Sequence, residues 1–339
     1  MKDLTTGKPI KVILMFAIPI LVGNIFQQLY GIVDTRVVGQ YLGVSALASV
    51  GATSSISNFI VGFVCGMTTG FCIKVANHYG GKDYATMRKS VAGTIVLSMG
   101  SAIFMTTVGI LGIRKLLVIL GTPADILDMA EGYIKIIIWG MVFTVIYNMC
   151  ANILRAIGDS ITPLVFLVIA VIGNIVLDVT FIKYLGFGVN AAAYATIISQ
   201  GLSAFMCIVF MIKKYPILRL KAEDFRFGDY NLGNLFATGL SMGFMLCIVN
   251  IGSVILQSSV NGLGTNIVAG HTGSRKMFEM MAVPSYSISM TMATYTSQNL
   301  GAKKIRRIRE GLISAIGVCF IWSTIVIIIS YTIGPNIAA

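Results

Sequence analysis

The chain has 339 residues, of which 56% are hydrophobic and 11% charged, with a mean hydropathy of +0.86. A soluble protein carries about 25% charged residues, so the composition excludes an ordinary soluble domain and describes an integral membrane protein. The formal charge of +12 comes from 25 Lys and Arg against 13 Asp and Glu; in a soluble chain it would suggest nucleic acid, but here the placement of the charges accounts for it and no nucleic-acid partner is expected.

Nine apolar segments of spanning length follow one another, at about 11–37, 45–73, 90–113, 130–154, 163–184, 190–212, 232–258, 267–298 and 311–333. About 20 helical residues cross a hydrocarbon core of roughly 30 Å, and the short alternating strands of a barrel are not visible. The fold class expected is therefore an all-α polytopic membrane protein. The first segment is too long for a signal-peptide core and has no clear cleavage site, so it is expected to be retained as a helix. It carries a polar stripe on one side, Asn24, Gln27, Gln28, Gly31 and Asp34. The fifth segment holds Asn174 and Asp178, four residues apart and so on one helical face. A carboxylate facing hydrocarbon costs at least ~2.5 kcal/mol, so these acids must face a partner, water or a moving cation. The structural alternative is a polar pair joining two helices. In the eighth segment Glu279 lies four residues from Arg275 and three from Lys276, a spacing that allows local ion pairing or a cavity-facing contact.

The basic residues set an orientation. With the N-terminus in the cytoplasm, 18 of the 25 Lys and Arg fall on inside segments and 4 on outside ends, while Lys135, Arg275 and Lys276 fall within spans. That is a strong positive-inside bias. It puts Asp34 near the outer end of the first helix, Asp178 in the outer third of the fifth and Thr196 of the sixth at a similar depth. The six cysteines all lie in apolar segments with no CxxC pair, and His78 and His271 are isolated, so neither disulfides nor a metal-ligand cluster are indicated.

An internal repeat organises the chain. The run Tyr79 to Arg88 aligns without gaps on Leu300 to Arg309, an offset of 221, and the same offset brings Leu42-Gly43 onto Leu263-Gly264. Six helices preserve orientation, so the repeat is parallel, about an axis along the membrane normal. The expected domains are a six-helix bundle over 1–213, a cytoplasmic linker over 214–231, and the first three helices of a second bundle over 232–339. Three helices, roughly a hundred residues, are then missing relative to a complete two-unit transporter.

The first helix reads Pro19, Asn24, Gln27-Gln28-Leu29-Tyr30 and Val33-Asp34-Thr35, followed by Val38-Gly39 and Leu42-Gly43. The fourth exits through Leu154-Arg155-Ala156, Gly158-Asp159 and Thr162-Pro163. Then come Asn174, Asp178, Gly186, Gly188, Ala191-Ala192, Ala195-Thr196 and Ser199-Gln200, with Pro284 and Gln298-Asn299-Leu300-Gly301-Ala302 in the second unit. In their order and spacing these motifs resemble the multidrug and toxic compound extrusion (MATE) family, in its DinF-like branch. Asn190 and Ser241 depart from the family pattern, standing where glycine and proline are usual. The resemblance implies two helix bundles around a central cavity, alternating between inward- and outward-facing states. It implies export of small organic cations driven by H⁺ or Na⁺, with no other cofactor and no enzymatic activity. It also implies a cation-coupling site of Asp34, Asn174, Asp178 and Thr196, of which Asp34, Asn174 and Asp178 would ligate the ion if it is Na⁺. Gln27, Tyr30, Lys276 and Glu279 are candidate cavity or substrate contacts. A monomer, passing many times through the plasma (inner) membrane, is expected.

Other readings are a lipid-linked oligosaccharide flippase of the same superfamily, which needs a cationic cavity, and a membrane prenyltransferase, which needs an aspartate-rich Mg²⁺ site. The first unit's polar cluster is acidic, and no DDxxD occurs. A non-transporting fragment is a further alternative.

Overall fold

The computed structural model of the chain describes residues 3–228, 230–261 and 265–332. Eight helices follow in order: α1 (Pro9–Gly80), α2 (Tyr84–Ile119), α3 (Ala124–Ala156), α4 (Ile161–Asp178), α5 (Asn190–Lys214), α6 (Leu232–Asn261), α7 (Thr265–Gly301) and α8 (Ile305–Thr332). A π-helical turn, Val179–Tyr184, continues α4, and two short 3₁₀ turns, Pro216–Leu218 and Ala222–Phe225, lie between α5 and α6. Among the described residues there is no strand.

The 72 residues of α1 would run about 108 Å if straight, far beyond one bilayer crossing. Gly43 breaks it, with φ 82° and ψ −175°, a conformation open to glycine and costly for any residue with a Cβ. Across the break the chain reverses. Gly39 lies against the Leu47 side chain, 3.3 Å from a Cβ position, although eight residues of straight helix would separate them by about 12 Å. One cavity accordingly touches Gln27 and Val61, and Gly31 and Ser57, on facing arms. The first two expected segments are thus the outgoing and returning arms of α1. The other seven each match one helix, and the helices run a few residues past the apolar spans because backbone hydrogen bonding does not need an apolar side chain.

Among the described residues, six helices are long and apolar enough to cross a membrane. Large apolar side chains such as Ile103, Phe104, Leu111, Ile313, Phe320 and Ile321 face outward, as a lipid-solvated surface requires. Inside, small residues let helices approach closely: Gly70 and Gly239 meet backbone to backbone where α1 crosses α6.

The repeat is visible in the backbone. Lys82 (φ 59°) and Lys303 (φ 58°), 221 residues apart, are the described non-glycine residues with positive φ. Each ends the turn after a helix that stops at Gly80 or Gly301 and precedes one that starts at Tyr84 or Ile305. The two corners also touch reciprocally. A Cβ on Gly80 would sit 2.0 Å from the Gln298 carbonyl oxygen, and one on Gly301 would sit 1.8 Å from that of Asn77. Asn77 and Gln298 are themselves 221 apart, so a local two-fold relation passes between α1 and α7 at this end of the molecule.

Each unit's leading segment crosses to the other unit's corner. Before α1, Leu4 is fully buried and its N–H donates to Gln298 Oε1 (3.2 Å). Asn299 donates to the Leu4 carbonyl (3.1 Å), Lys304 to that of Thr5 (2.8 Å) and Arg307 to that of Thr6 (2.7 Å). Before α6, Asp224 faces Arg88 at 3.5 Å and Tyr230 Oη donates to Ser90 Oγ at 2.9 Å, both on α2.

Two predictions come from these corners. Gly301→Ala should destabilise the protein by about 1–3 kcal/mol, because the methyl group meets backbone that cannot turn away; Gly100→Ala, which has open space around it, should be neutral. Thermal unfolding in detergent compares the two. The second concerns Asp159, in the turn joining α3 to α4. Burial alone would raise its carboxyl, but the bonds it accepts from Thr162 Oγ1, the Thr162 and Ile161 amides and Tyr215 outweigh that and hold it below the usual carboxylate value. Its stabilisation is therefore present above about pH 4 and is lost as pH falls through the depressed folded-state value. Thermal unfolding between about pH 7 and pH 3 should show that Asp159→Asn is already destabilised at neutral pH and declines less steeply on acidification.

Candidate functional site

Three elements of the first unit converge on one polar cluster. The outgoing arm of α1 brings Tyr30 and Asp34, one helical turn apart. α4 brings Asn174 and Asp178, again one turn apart, and α5 brings Thr196. Asn174 and Asp178 are 2% and 1% exposed. The α-helix gives way to the π turn directly after Asp178; such wide turns re-aim the side chains around them and are frequent at functional positions.

The hydrogen bonds define the cluster closely. Thr196 Oγ1 donates to the Ala192 carbonyl (3.0 Å), so the Tyr30 hydroxyl, 2.9 Å away, is the donor to Thr196 Oγ1. With the Asn174 amide nitrogen turned towards the acid, it donates to Asp178 Oδ2 at 2.8 Å, and its oxygen accepts from the Thr196 amide at 3.1 Å. The carboxyl groups of Asp34 and Asp178 face each other within hydrogen-bonding reach. One oxygen of each, Asp34 Oδ1 and Asp178 Oδ1, is buried and has no hydrogen-bond partner. No basic residue among the described ion pairs reaches either acid. Two carboxyls thus lie side by side without a base, with an oxygen of each unsatisfied.

A cavity of about 390 Å³ opens beside the cluster and is lined by Gln27, Tyr30, Asn58, Asn174, Thr196 and Gln200 among others. The structure thus brings together Asp34, Asn174, Asp178, Thr196, Tyr30 and Gln27. Glu279 lies apart on α7, where it accepts from Arg275 Nε at 3.1 Å in the i,i+4 pairing that their spacing allows. The Lys276 side chain lies outside the described residues. Tyr133 of α3, absent from the sequence expectations, is buried near both acids. Its only sequence signal is a single aromatic in an amphipathic stretch, and aromatics there more often pack or sit at the interface.

A second cavity, of about 130 Å³, lies where α1 and α3 meet α7 and reaches Arg155. Gln27 and Leu167 border both cavities, so the two are adjacent. Asn24 Nδ2 donates to Ser287 Oγ (2.9 Å) across this seam between the units.

The family model described as MatE matches residues 19–180 and 241–339. The probable multidrug resistance protein YpnP of Bacillus subtilis (strain 168) is 28% identical over 306 residues, covering 90% of this chain and 68% of that protein. A second protein of the same strain, the probable multidrug resistance protein YoeA, is 24% identical over 330 residues, covering 95% and 71%. Among solved structures, a MATE protein in a bent conformation superposes with a TM-score of 0.93 at 24% identity, covering 99% of this chain and 76% of the other. An outward-facing multidrug resistance MATE family transporter of the MOP superfamily gives 0.91 at 25% identity, covering 98% and 74%. With the fold, the repeat and the family model agreeing over most of its length, the chain belongs to the MatE family of multidrug and toxic compound extrusion transporters.

Proposed function

We propose that the chain exports organic cations in exchange for an inward-moving H⁺ or Na⁺, with Asp34 and Asp178 as the ion-coupling pair. The observation that carries this reading is the contact between those two acids in a buried cluster that supplies no base. Two charged carboxylates in low-dielectric surroundings repel, and a cation between them removes the cost. A proton can sit between the paired oxygens while Asn174 holds the remaining oxygen of Asp178. Na⁺ would instead use the two carboxylates with neutral oxygens from Asn174 and Thr196.

Ion occupancy at this cluster bears on the rest of the unit because its residues sit on three helices. Neutralising the pair lets α1 and α4 stay together; emptying it sets their carboxylates against each other. The outgoing arm that carries Asp34 also carries Gln27 and Asn24, which reach the second cavity and the opposite unit. Pro19 removes one backbone hydrogen bond from that arm and makes bending there inexpensive. Alternation between inward- and outward-facing states is the motion this arrangement would drive, with the positively charged loops on the cytoplasmic side.

Magnitudes constrain the stoichiometry. One elementary charge moving down 100 mV supplies ~2.3 kcal/mol, enough to sustain a concentration ratio of about fiftyfold. A monovalent organic cation leaving against the same potential costs the same amount. A one-for-one exchange therefore draws only on the ion's concentration gradient, and two ions per substrate are needed before the potential contributes.

Ethidium efflux from proteoliposomes, driven separately by an imposed pH gradient and an imposed Na⁺ gradient, tests this. Asp34→Asn and Asp178→Asn should each abolish gradient-driven efflux while leaving thermal unfolding close to wild type; ion-driven efflux surviving in both variants would overturn the assignment. Thr196→Val, which removes the acceptor for Tyr30, should slow efflux without abolishing it.

A further inference from the structure

The run Gln298 to Ala302, which the 221-residue offset lays on Asn77 to Gly81, packs two corners together, and one of its side chains does more. Gln298 is fully buried and its amide is used at both ends: Nε2 donates to the Ala156 carbonyl at the end of α3 (2.7 Å), and Oε1 accepts the Leu4 N–H (3.2 Å). It thus ties the second unit both to the first and to the segment that precedes α1. Asn299 donates to the Leu4 carbonyl (3.1 Å), and Arg307 to those of Leu4 (3.3 Å) and Thr6 (2.7 Å). The Leu4 side chain packs among Ile13, Phe16, Ile20 and Tyr295.

This knot stands at the end of a line of cavities. Ala156, whose carbonyl Gln298 holds, lines a small cavity of about 20 Å³ together with Thr69, Cys72 and Asn152. Thr69, Asn152 and Met290 line the 130 Å³ cavity as well, so the two adjoin. Along α1 the lining of the small cavity passes from Thr69 through Cys72 to Ala76, one turn short of Gly80, and along α7 from Met290 to Thr294, one turn short of Gln298. The contacts of the other leading segment, Asp224 with Arg88 and Tyr230 with Ser90, lie on α2, and neither α2 residue lines these cavities. The knot can also come apart without unwinding a helix. Side chains of Gln298, Asn299, Lys304 and Arg307 hold Leu4, Thr5 and Thr6, and Gly7, with φ 77°, separates them from α1, which begins at Pro9. Glycine turns there at little steric cost, and water satisfies the freed groups once the segment has moved.

We propose that Gln298 is a positioning residue for transport: by holding Leu4 against the end of α3 it closes the cavities between the units at the end that bears the basic loops, and access from that side requires the segment from Leu4 to Gly7 to withdraw. That end is the cytoplasmic one by the positive-inside rule. The inference rests on the transport reading above in taking this opening as a working state of the protein.

Cys72 reports the opening, because a thiol reacts as the thiolate and this one lines the small cavity, buried from solvent. The chain in inside-out membrane vesicles is treated with the membrane-impermeant cation 2-(trimethylammonium)ethyl methanethiosulfonate, and the modification of each cysteine is followed by mass spectrometry. Cys72 of the unmodified chain should react slowly. Gln298→Ala should raise its rate about tenfold, the effect of losing one buried hydrogen bond, and Leu4→Ser at least as much. Cys150 and Cys207, which are buried and line none of these cavities, should stay protected in the same molecules. Right-side-out vesicles should show no rise at Cys72. A Cys72 rate that neither variant changes, that rises from the opposite face or from both, or that rises together with those of Cys150 and Cys207 overturns the proposal. Should Gln298→Ala fail to reach the membrane, Leu4→Ser decides. Labelling of Cys72 in the unmodified inside-out vesicles as fast as in the denatured chain also overturns it, and needs no variant to fold. No ion gradient or substrate enters the measurement, so its failure is distinct from a failure of ion-driven efflux.

Discussion

A charge held away from water needs a charge of the opposite sign or several hydrogen bonds beside it, and this requirement accounts for the buried acids Glu131, Asp159 and Asp224. Where the fold needs a charge only for structure, it supplies the partner: Glu131 lies between Arg114 and Lys135, and Asp224 faces Arg88. Asp159 is held another way, by hydrogen bonds from two hydroxyls and two amides. One place breaks the pattern: Asp34 and Asp178 are acid against acid. Leaving such groups charged and bare costs several kcal/mol per ion, and no base among the described ion pairs reaches them.

The frame that holds this place is the reciprocal contact of the two units. Gly80 on the Gln298 carbonyl and Gly301 on that of Asn77 bring α1 and α7 to backbone contact, which no side chain larger than hydrogen allows. The leading segments then cross over: Leu4 to Thr6 dock on the α7–α8 corner, and Asp224 and Tyr230 dock on α2. Each unit is fastened to the other by its own lead. Most of the strength lies in bonds between side chains and backbone carbonyls, which are directional and break together if the corners separate.

Much of this was legible in the sequence. The nine apolar runs gave the helices, because in a bilayer the length of an apolar run is dictated by membrane thickness and not by packing detail. The 221-residue offset gave the repeat, and Lys82 and Lys303 show it surviving in a backbone angle that lysine seldom adopts. The spacing of Asn174 and Asp178 gave their common face. Three things were hidden. The reversal between the first two apolar runs was expected, but that it turns on the single φ angle of Gly43, with helix on both sides, was not encoded. The nearness of Asp34 to Asp178 follows from which faces of α1 and α4 meet, and an apolar helix does not reveal that, since its lipid side and its packed side are both apolar. Tyr133 and the separation of Arg155 from Asp159 are statements about three-dimensional neighbours. In the sequence Arg155 stands four residues from Asp159, a spacing that suggests a pair, and the turn at Gly158 with its own hydrogen bonds draws the acid away.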